Sequence, residues 1–528
     1  MNDVTPPTRR QLLTAIGKAG GAAALYQAMT AMAHAAPTDF KGPPKLSGAR
    51  KGASVLVLGS GLAGMLAAYE LSKAGYKVQV LEFQNRPGGR NWTLRGGDTL
   101  NEIGGAVQKV GFAPGNYLNP GPWRIPYHHQ ALLHYCQAFG VALEPFVQIN
   151  NNGYVHQAGA FGGKPQRFSQ LAVDFKGHTS ELLAKALNKN ALDDTVSKED
   201  RDRLVDAMRQ WGVLDKNMAY TSSLAVSNQR GFDHPPGGGV DGAPTPSQVF
   251  KMDDVLDSKV WQQMSFYLTN VMQQTMFQPV GGMDNIGKAF ARQLGAMITY
   301  NAKVTRIAQD AKGVTVNYQD VASGAVRTAT ADWCVCTIPL PILSQIEVQA
   351  SAPMQAAIKG VPYHSSAKIG LEFKRRFWEQ DDYIYGGHSF TSQSINQLSY
   401  PSAGFFKPGP AVLLGAYSSG PAAYEFAGMT PAQRIEAALK QGEVIHPQYR
   451  GEYLNGVAVA WSRVPWIAAC ASSWNDEARK AHYQNLVGID GRLVLAGEHA
   501  SYIGAWMEAA LLSSLDAITR LHQRAQAA

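Results

Sequence analysis

Gly59-Ser60-Gly61-Leu62-Ala63-Gly64 spells GxGxxG, a spacing suited to binding a pyrophosphate. Gly59 permits a tight turn, Gly61 lets a phosphate approach the backbone, and Gly64 lets a helix pack closely on a strand. A helix opening at Leu62 and Ala63 would offer unpaired N–H groups and positive potential to the anion. Glu82 stands 18 residues beyond Gly64. A carboxylate there accepts hydrogen bonds from ribose hydroxyls and repels a 2′-phosphate. Phe83 follows it, and then Arg86-Pro87-Gly88-Gly89-Arg90, where the glycines bring the chain near a bound cofactor and Arg90 adds a cation. Two further cations stand out. Arg124, in Gly121-Pro122-Trp123-Arg124-Ile125-Pro126, carries a fork able to hold a carboxylate through two parallel hydrogen bonds, although a structural arginine in a proline-rich loop would read the same way. Lys368, in Ser365-Ser366-Ala367-Lys368-Ile369-Gly370, lies among small and apolar residues, where a lysine either snorkels to solvent or has a task.

The elements that must position these groups are legible around them. Ala53 to Leu58 is a short apolar run typical of a buried parallel strand, and Lys77 to Glu82 is a second, with a helix from about Leu62 to Lys73 between them. That is a βαβ unit in the setting the glycine motif requires. From about 165 to 275 the pattern turns helical, with Ser197 heading a capped, charged helix, and Pro235 to Pro246 reads as a long loop. Strands return at Ala302–Ile307, Val314–Tyr318 and Trp333–Thr337, then Lys368–Phe373, and Arg492–Gly497 runs into a helix near Trp506–Thr519.

Composition bounds the rest. The 528 residues are 45% hydrophobic and 17% charged, which excludes a highly charged disordered chain. The net charge of +8 is unevenly spread: residues 1–50 hold six Lys/Arg against two Asp/Glu, and the remainder holds 42 against 38. No basic stripe argues for nucleic acid. Thr8-Arg9-Arg10-Gln11-Leu12-Leu13, an Ala/Gly-rich middle and Ala33-His34-Ala35 resemble a twin-arginine export signal over residues 1–36. The expected location is the periplasm or outside the cell, or the cytoplasm if the signal is not processed. No other long charge-free apolar run suggests a membrane span. The four cysteines are too sparse for a disulfide scaffold and lack zinc spacing.

With GSGLAG, VLEFQNRPGGR, AKVTRI, VCTIPLPIL and LAGEHASYIGAWMEAALLSSL together, over residues about 53 to 520, the chain resembles the flavin amine oxidase superfamily, and most closely its L-amino acid oxidases. The resemblance implies an α/β fold: a discontinuous Rossmann-like FAD-binding domain (50–110, 276–350, 481–528), a mixed α+β substrate-binding domain (111–164, 351–480) and an inserted helical subdomain (165–275). It implies FAD bound without a covalent bond, with adenosine near Glu82 and Val304. Glu498, in Gly497-Glu498, would hold the ribityl or pyrophosphate region. Arg90, the Gly121-Pro122-Trp123-Arg124 segment and the Ala505-Trp506-Met507 backbone would lie by the isoalloxazine. Arg124 matches the family arginine that grips a substrate carboxylate, and Tyr400 looks like the tyrosine that donates a second hydrogen bond, with Tyr383, Tyr385 and Tyr417 as rivals. Ala505 and Trp506 would flank the substrate, and Lys368 would hold a water near the flavin. Monoamine oxidases attach FAD through a cysteine near Cys470, but this chain has alanines where they have glycines, and Cys470 reads as structural. No histidine matches the one some members place over the substrate amine. The implied activity is FAD-dependent oxidative deamination of L-amino acids, as small-molecule substrates, to 2-oxo acids with release of ammonia and hydrogen peroxide, oxygen being the acceptor and no metal needed; a homodimer is compatible with it. An amine or polyamine oxidase and a non-catalytic flavoprotein are the alternatives.

Overall fold

The glycine motif lands where its spacing demands. In the computed structural model, which describes residues 40–189 and 196–527, strand β1 (Ser54–Leu58) leads into helix α1 (Leu62–Lys73) and strand β2 (Lys77–Leu81). β1 pairs in parallel with β2 on one side and with Trp333–Cys336 on the other, and Leu493–Leu495 pairs in parallel beyond that. Both faces of this sheet are covered. Val55 and Val57 enter one apolar cluster with Met65, Leu66 and Ile518, while Leu56 and Leu58 enter another with Cys334, Cys336 and Ile342. Double coverage explains why β1 reads as a continuous apolar run rather than an alternation. Cys334 and Cys336 are free, fully buried core residues.

Ala302–Gln309 and Val314–Asp320 do not join this sheet. They pair with each other, and Val326–Ala331 and Glu347–Val348 complete a separate four-stranded sheet. A second framework is built on Ser366–Phe373, every residue of which is buried. It runs antiparallel between Ala411–Ser419 and Tyr453–Ala460. Ile125–Pro126, Met276–Pro279 and Leu143–Phe146 form a small antiparallel sheet.

The chain divides into two compact units. One comprises Gln148–Gln273 with Gly387–Gln393 and is mainly helical, with Phe168–Asn188 and Lys198–Trp211 as its longest helices. Its Ser197 caps the second helix, accepting from the Asp200 N–H at 3.1 Å. The buried Asp174 in this unit accepts from Tyr220 Oη (2.7 Å), Arg230 Nε (2.8 Å) and the Phe250 N–H (2.8 Å), so the charge enters the interior fully partnered. The other unit holds the sheets described above. Residues 1–36, read as an export signal, lie outside the described residues. Among the described residues no helix is long and apolar enough to cross a membrane.

The sheet unit also contains a buried ion pair. Arg434 sends both terminal nitrogens to Glu102 and its Nε to the Phe426 carbonyl (2.7 Å). Removing one member strands the other charge without water. Glu102→Ala is therefore expected to lower stability by about 3–5 kcal/mol, read as a reduced urea midpoint.

Candidate functional site

A dinucleotide cradle is built at the carboxyl end of β1. Gly59 has φ +99°, a conformation that a side chain would strain. A Cβ on Gly64 would sit 2.0 Å from the Gly59 carbonyl oxygen, so only glycine lets α1 start this close to the strand. Gly61 has nothing within 4 Å of where its Cβ would be, which leaves its backbone open to an anion at the α1 N-terminus. The Glu82 carboxylate is fixed by the Ser60 N–H (2.6 Å), Ser60 Oγ (2.9 Å) and the Gln84 N–H (2.7 Å). Burial raises its pKa despite those bonds. Oε2 takes both Ser60 bonds, and Oε1, with one bond from Gln84, keeps capacity for a ribose hydroxyl. Glu82, Phe83, Gly89, Arg90 and Val304 line one cavity with Gly59 and Gly61, and Phe83 stacks on Trp466 at 5.0 Å.

The cradle continues toward Glu498. Arg90 Nη1 lies 2.9 Å from Glu498 Oε1 and 2.6 Å from the Cys470 carbonyl. Burial alone would raise the Glu498 carboxyl. Arg90, His499 and the Ser472 hydroxyl (2.7 Å) outweigh it and hold the group below its usual range. Next to Glu498, both ring nitrogens of His499 are buried without a hydrogen-bond partner among the described residues, as is Nη2 of Arg86 in the segment that follows Glu82. Unsatisfied buried groups of this kind are expected where a polar ligand completes the structure. The glycine geometry, the fixed Glu82 and these orphaned polar atoms together fit an FAD.

The residues expected from the sequence to face a substrate lie in the same unit. Register places Lys368 directly across from Tyr417. The Lys368 nitrogen sits 4.5 Å from the Tyr417 ring centre and 4.7 Å from that of Trp123, and it donates to the carbonyls of Asn119 and Gly121. Burial drives its pKa down to about 7, and Arg124 pushes the same way. Arg124, itself buried, has its guanidinium 5.1 Å from the Trp123 ring and 6.0 Å from the Trp506 ring. Glu508 ties the two segments together: its carboxylate accepts from the N–H groups of Ala131 (3.0 Å) and Leu132 (2.8 Å), at the start of the helix Gln130–Ala138 that follows the Arg124 loop. Ala505 has φ +61° and Met507 begins the last helix, so Trp506 is presented from a strained turn.

Tyr400, expected from the sequence as a donor to a substrate carboxylate, is buried and lines a cavity with Trp123. Its hydroxyl lies 2.7 Å from His446 Nε2, and His446 Nδ1 lies 2.9 Å from the Asp382 carboxylate. A carboxylate only accepts, so Nδ1 carries the proton. Tyr400 and His446 are thereby joined in one buried chain of hydrogen bonds to Asp382. Tyr417, named in the sequence only as a rival, is the tyrosine brought to Lys368. Burial raises its hydroxyl to about 12 against the pull of Arg124, so it remains a donor at neutral pH. Sequence reasoning also missed His129, whose buried ring meets Trp506 edge-on at 5.0 Å. Burial, and His128 beside it, lower its pKa to about 3. The signal was its position five residues after Arg124. Beside Trp123 opens a cavity of about 370 Å³, lined also by Tyr400, Phe146, Glu144, Leu414 and Arg376. Among the described residues no cluster of His, Cys, Asp and Glu could hold a metal ion.

A family model described as "Flavin containing amine oxidoreductase" matches residues 62–521. The flavin-dependent L-tryptophan oxidase RebO of Lentzea aerocolonigenes is 27% identical over 491 residues, covering 88% of this chain and 97% of that protein. An L-amino-acid oxidase of Siganus canaliculatus is 26% identical over 481 residues, covering 89% and 85%. Among solved structures, cyclohexylamine oxidase from Brevibacterium oxydans IH-35A superposes with a TM-score of 0.57 at 17% identity, covering 90% of this chain and 100% of that one, a likeness of fold.

Proposed function

The chain belongs to the flavin-containing amine oxidoreductases, and from that premise we propose that it is an L-amino-acid oxidase, converting an L-amino acid, water and oxygen to a 2-oxo acid, ammonia and hydrogen peroxide. The observation that carries the reading is Arg124, a buried guanidinium between Trp123 and Trp506. A guanidinium fork matches the two oxygens of an α-carboxylate through parallel hydrogen bonds, a group that a simple amine does not carry. The names of the relatives point the same way.

Bound non-covalently, FAD supplies the two-electron oxidation of the substrate and passes the electrons to oxygen. Arg124 holds the carboxylate through its fork and so fixes the direction of the neighbouring C–H bond. Tyr417, protonated at neutral pH, donates a second hydrogen bond to that carboxylate. Trp123 and Trp506 exclude water from the reacting carbon. Lys368, with a pKa near 7, carries a lone pair on part of its population at neutral pH and can take a proton from water. Cys470, whose thiol burial raises above its ordinary range, stays unreactive toward the cofactor. Residues 1–36 direct the folded enzyme out of the cytoplasm.

The test is anaerobic mixing of the holoenzyme with the twenty L-amino acids and their decarboxylated amines, followed by flavin absorbance. Bleaching by at least one L-amino acid, and not by its amine, is the expected result. Bleaching by amines alone would assign an amine oxidase, and no bleaching at all a non-catalytic flavoprotein.

A further inference from the structure

Glu508 is a fully buried carboxylate that the chemistry proposed above does not use. Its oxygens accept from the N–H groups of Ala131 (3.0 Å) and Leu132 (2.8 Å), in the first turn of the helix Gln130–Ala138. It also stands in the first turn of its own helix, Met507–Ala527. One negative charge thus lies at the positive ends of two helices, and charge-assisted bonds replace the water it has lost. Leu132 and Tyr135 of the first helix enter the same apolar cluster as Leu511, Leu515 and Ile518 of the second. Apolar contact holds the helices together but is non-directional. The two hydrogen bonds are directional, and they fix where the start of one helix stands against the start of the other.

The residues in front of the two helices touch. Trp506 immediately precedes Met507, and His129 is the N-cap before Gln130. Their rings meet edge-on at 5.0 Å, and the Arg124 guanidinium lies 6.0 Å from the Trp506 ring. The Arg124 side is braced independently. Ile125 and Pro126 pair with Phe277 and Met276, and the His129 N–H donates to the Pro126 carbonyl at 3.1 Å. Trp506 has no such sheet behind it and follows Ala505, whose φ is +61°. We infer that Glu508 is a positioning residue: by joining the two helix starts it holds the Trp506 ring in place against Arg124. The inference rests on the L-amino-acid oxidase reading and adds to it the group that sets the geometry of the Arg124–Trp506 pair.

The experiment measures the limiting rate of flavin reduction in anaerobic holoenzyme, with the L-amino acid that reduces wild type fastest. Wild type, Glu508→Gln, Glu508→Asp, Trp506→Leu and the Glu508→Gln/Trp506→Leu pair are compared, with flavin absorbance as the loading control and urea midpoints alongside. Glutamine keeps the volume but offers a single acceptor oxygen, and its amide N–H would oppose the second backbone N–H, donor to donor. Glu508→Gln should slow reduction by about 10- to 100-fold, the scale of a misplacement of about 1 Å. In the Trp506→Leu background the same substitution should cost less than about threefold, because the ring it positions is gone. Glu508→Asp keeps the charge and both oxygens, one methylene short, and should lose less than Glu508→Gln. A urea midpoint that falls while the rate stays within about twofold of wild type, or an equal loss in both Trp506 backgrounds, overturns the inference and leaves the oxidase reading standing. Loss of flavin from both Glu508 variants overturns it in favour of a purely structural role. Wild-type flavin that no L-amino acid reduces removes the oxidase reading, and the inference with it.

Discussion

Arg124→Met is expected to lower kcat/KM for an L-amino acid by about 10²- to 10³-fold, the kinetic equivalent of roughly 3–4 kcal/mol. Methionine nearly fills the space of the arginine stem between Trp123 and Trp506 while removing the charge, so packing and electrostatics are separated. The loss has two sources. The carboxylate forfeits two charge-assisted hydrogen bonds, and it must still leave water to enter a buried site. Orientation goes too, because the fork is what aims the adjacent C–H bond. Arg124→Lys should recover only part of the rate, since an ammonium offers a point charge rather than two parallel donors. The decisive readout is the ratio of rates for an amino acid and its decarboxylated amine, measured by peroxide release with flavin absorbance as the loading control. An unchanged ratio would make Arg124 scaffold and leave only the broader amine oxidoreductase assignment.

The reach of sequence reasoning followed the reach of the interactions. The cradle was legible because it is local: turn, helix start and carboxylate lie between Gly59 and Glu82, and each glycine answers a contact that a Cβ would violate. Lys368 was legible because a charge in a fully buried strand is a conflict visible in the sequence. Which tyrosine stands beside it was not. The choice depends on the register of Ser366–Phe373 against Ala411–Ser419, which a bulge between Ile369 and Gly370 shifts, and no residue near Tyr400 or Tyr417 announces that bulge. Nor was the contact of Tyr400 with His446 legible, since the two are 46 residues apart. Ala302–Gln309 and Val314–Asp320 were recognisable as strands, but their membership of a separate sheet was not, because periodicity reports which face is buried and not against which neighbour.

Lys368→Met should reduce kcat by about 10²-fold, within the range of general acid–base catalysis, and should also change how stability responds to pH. The two effects share one cause, a lysine whose pKa burial has brought down to about 7. In the unfolded chain the same group titrates near 10.4. Between these values the unfolded chain holds a proton that the folded protein does not, so stability rises with pH through this window, by up to about 1.4 kcal/mol per unit. Below pH 7 both states are protonated and the cost of the buried charge is fully felt; above about 10 neither is, and it vanishes. Methionine has no proton to bind, so its urea midpoint should lack the climb from pH 7 to 10 that wild type shows. Its absolute stability also reflects the Asn119 and Gly121 carbonyls left without their donor, which is why the slope is the diagnostic quantity. For activity, wild type should lose rate as pH falls through 7 and the lysine becomes fully charged. A variant that keeps both the wild-type rate and the same acid limb would show that Lys368 does no proton transfer and serves only to anchor the Asn119–Gly121 loop.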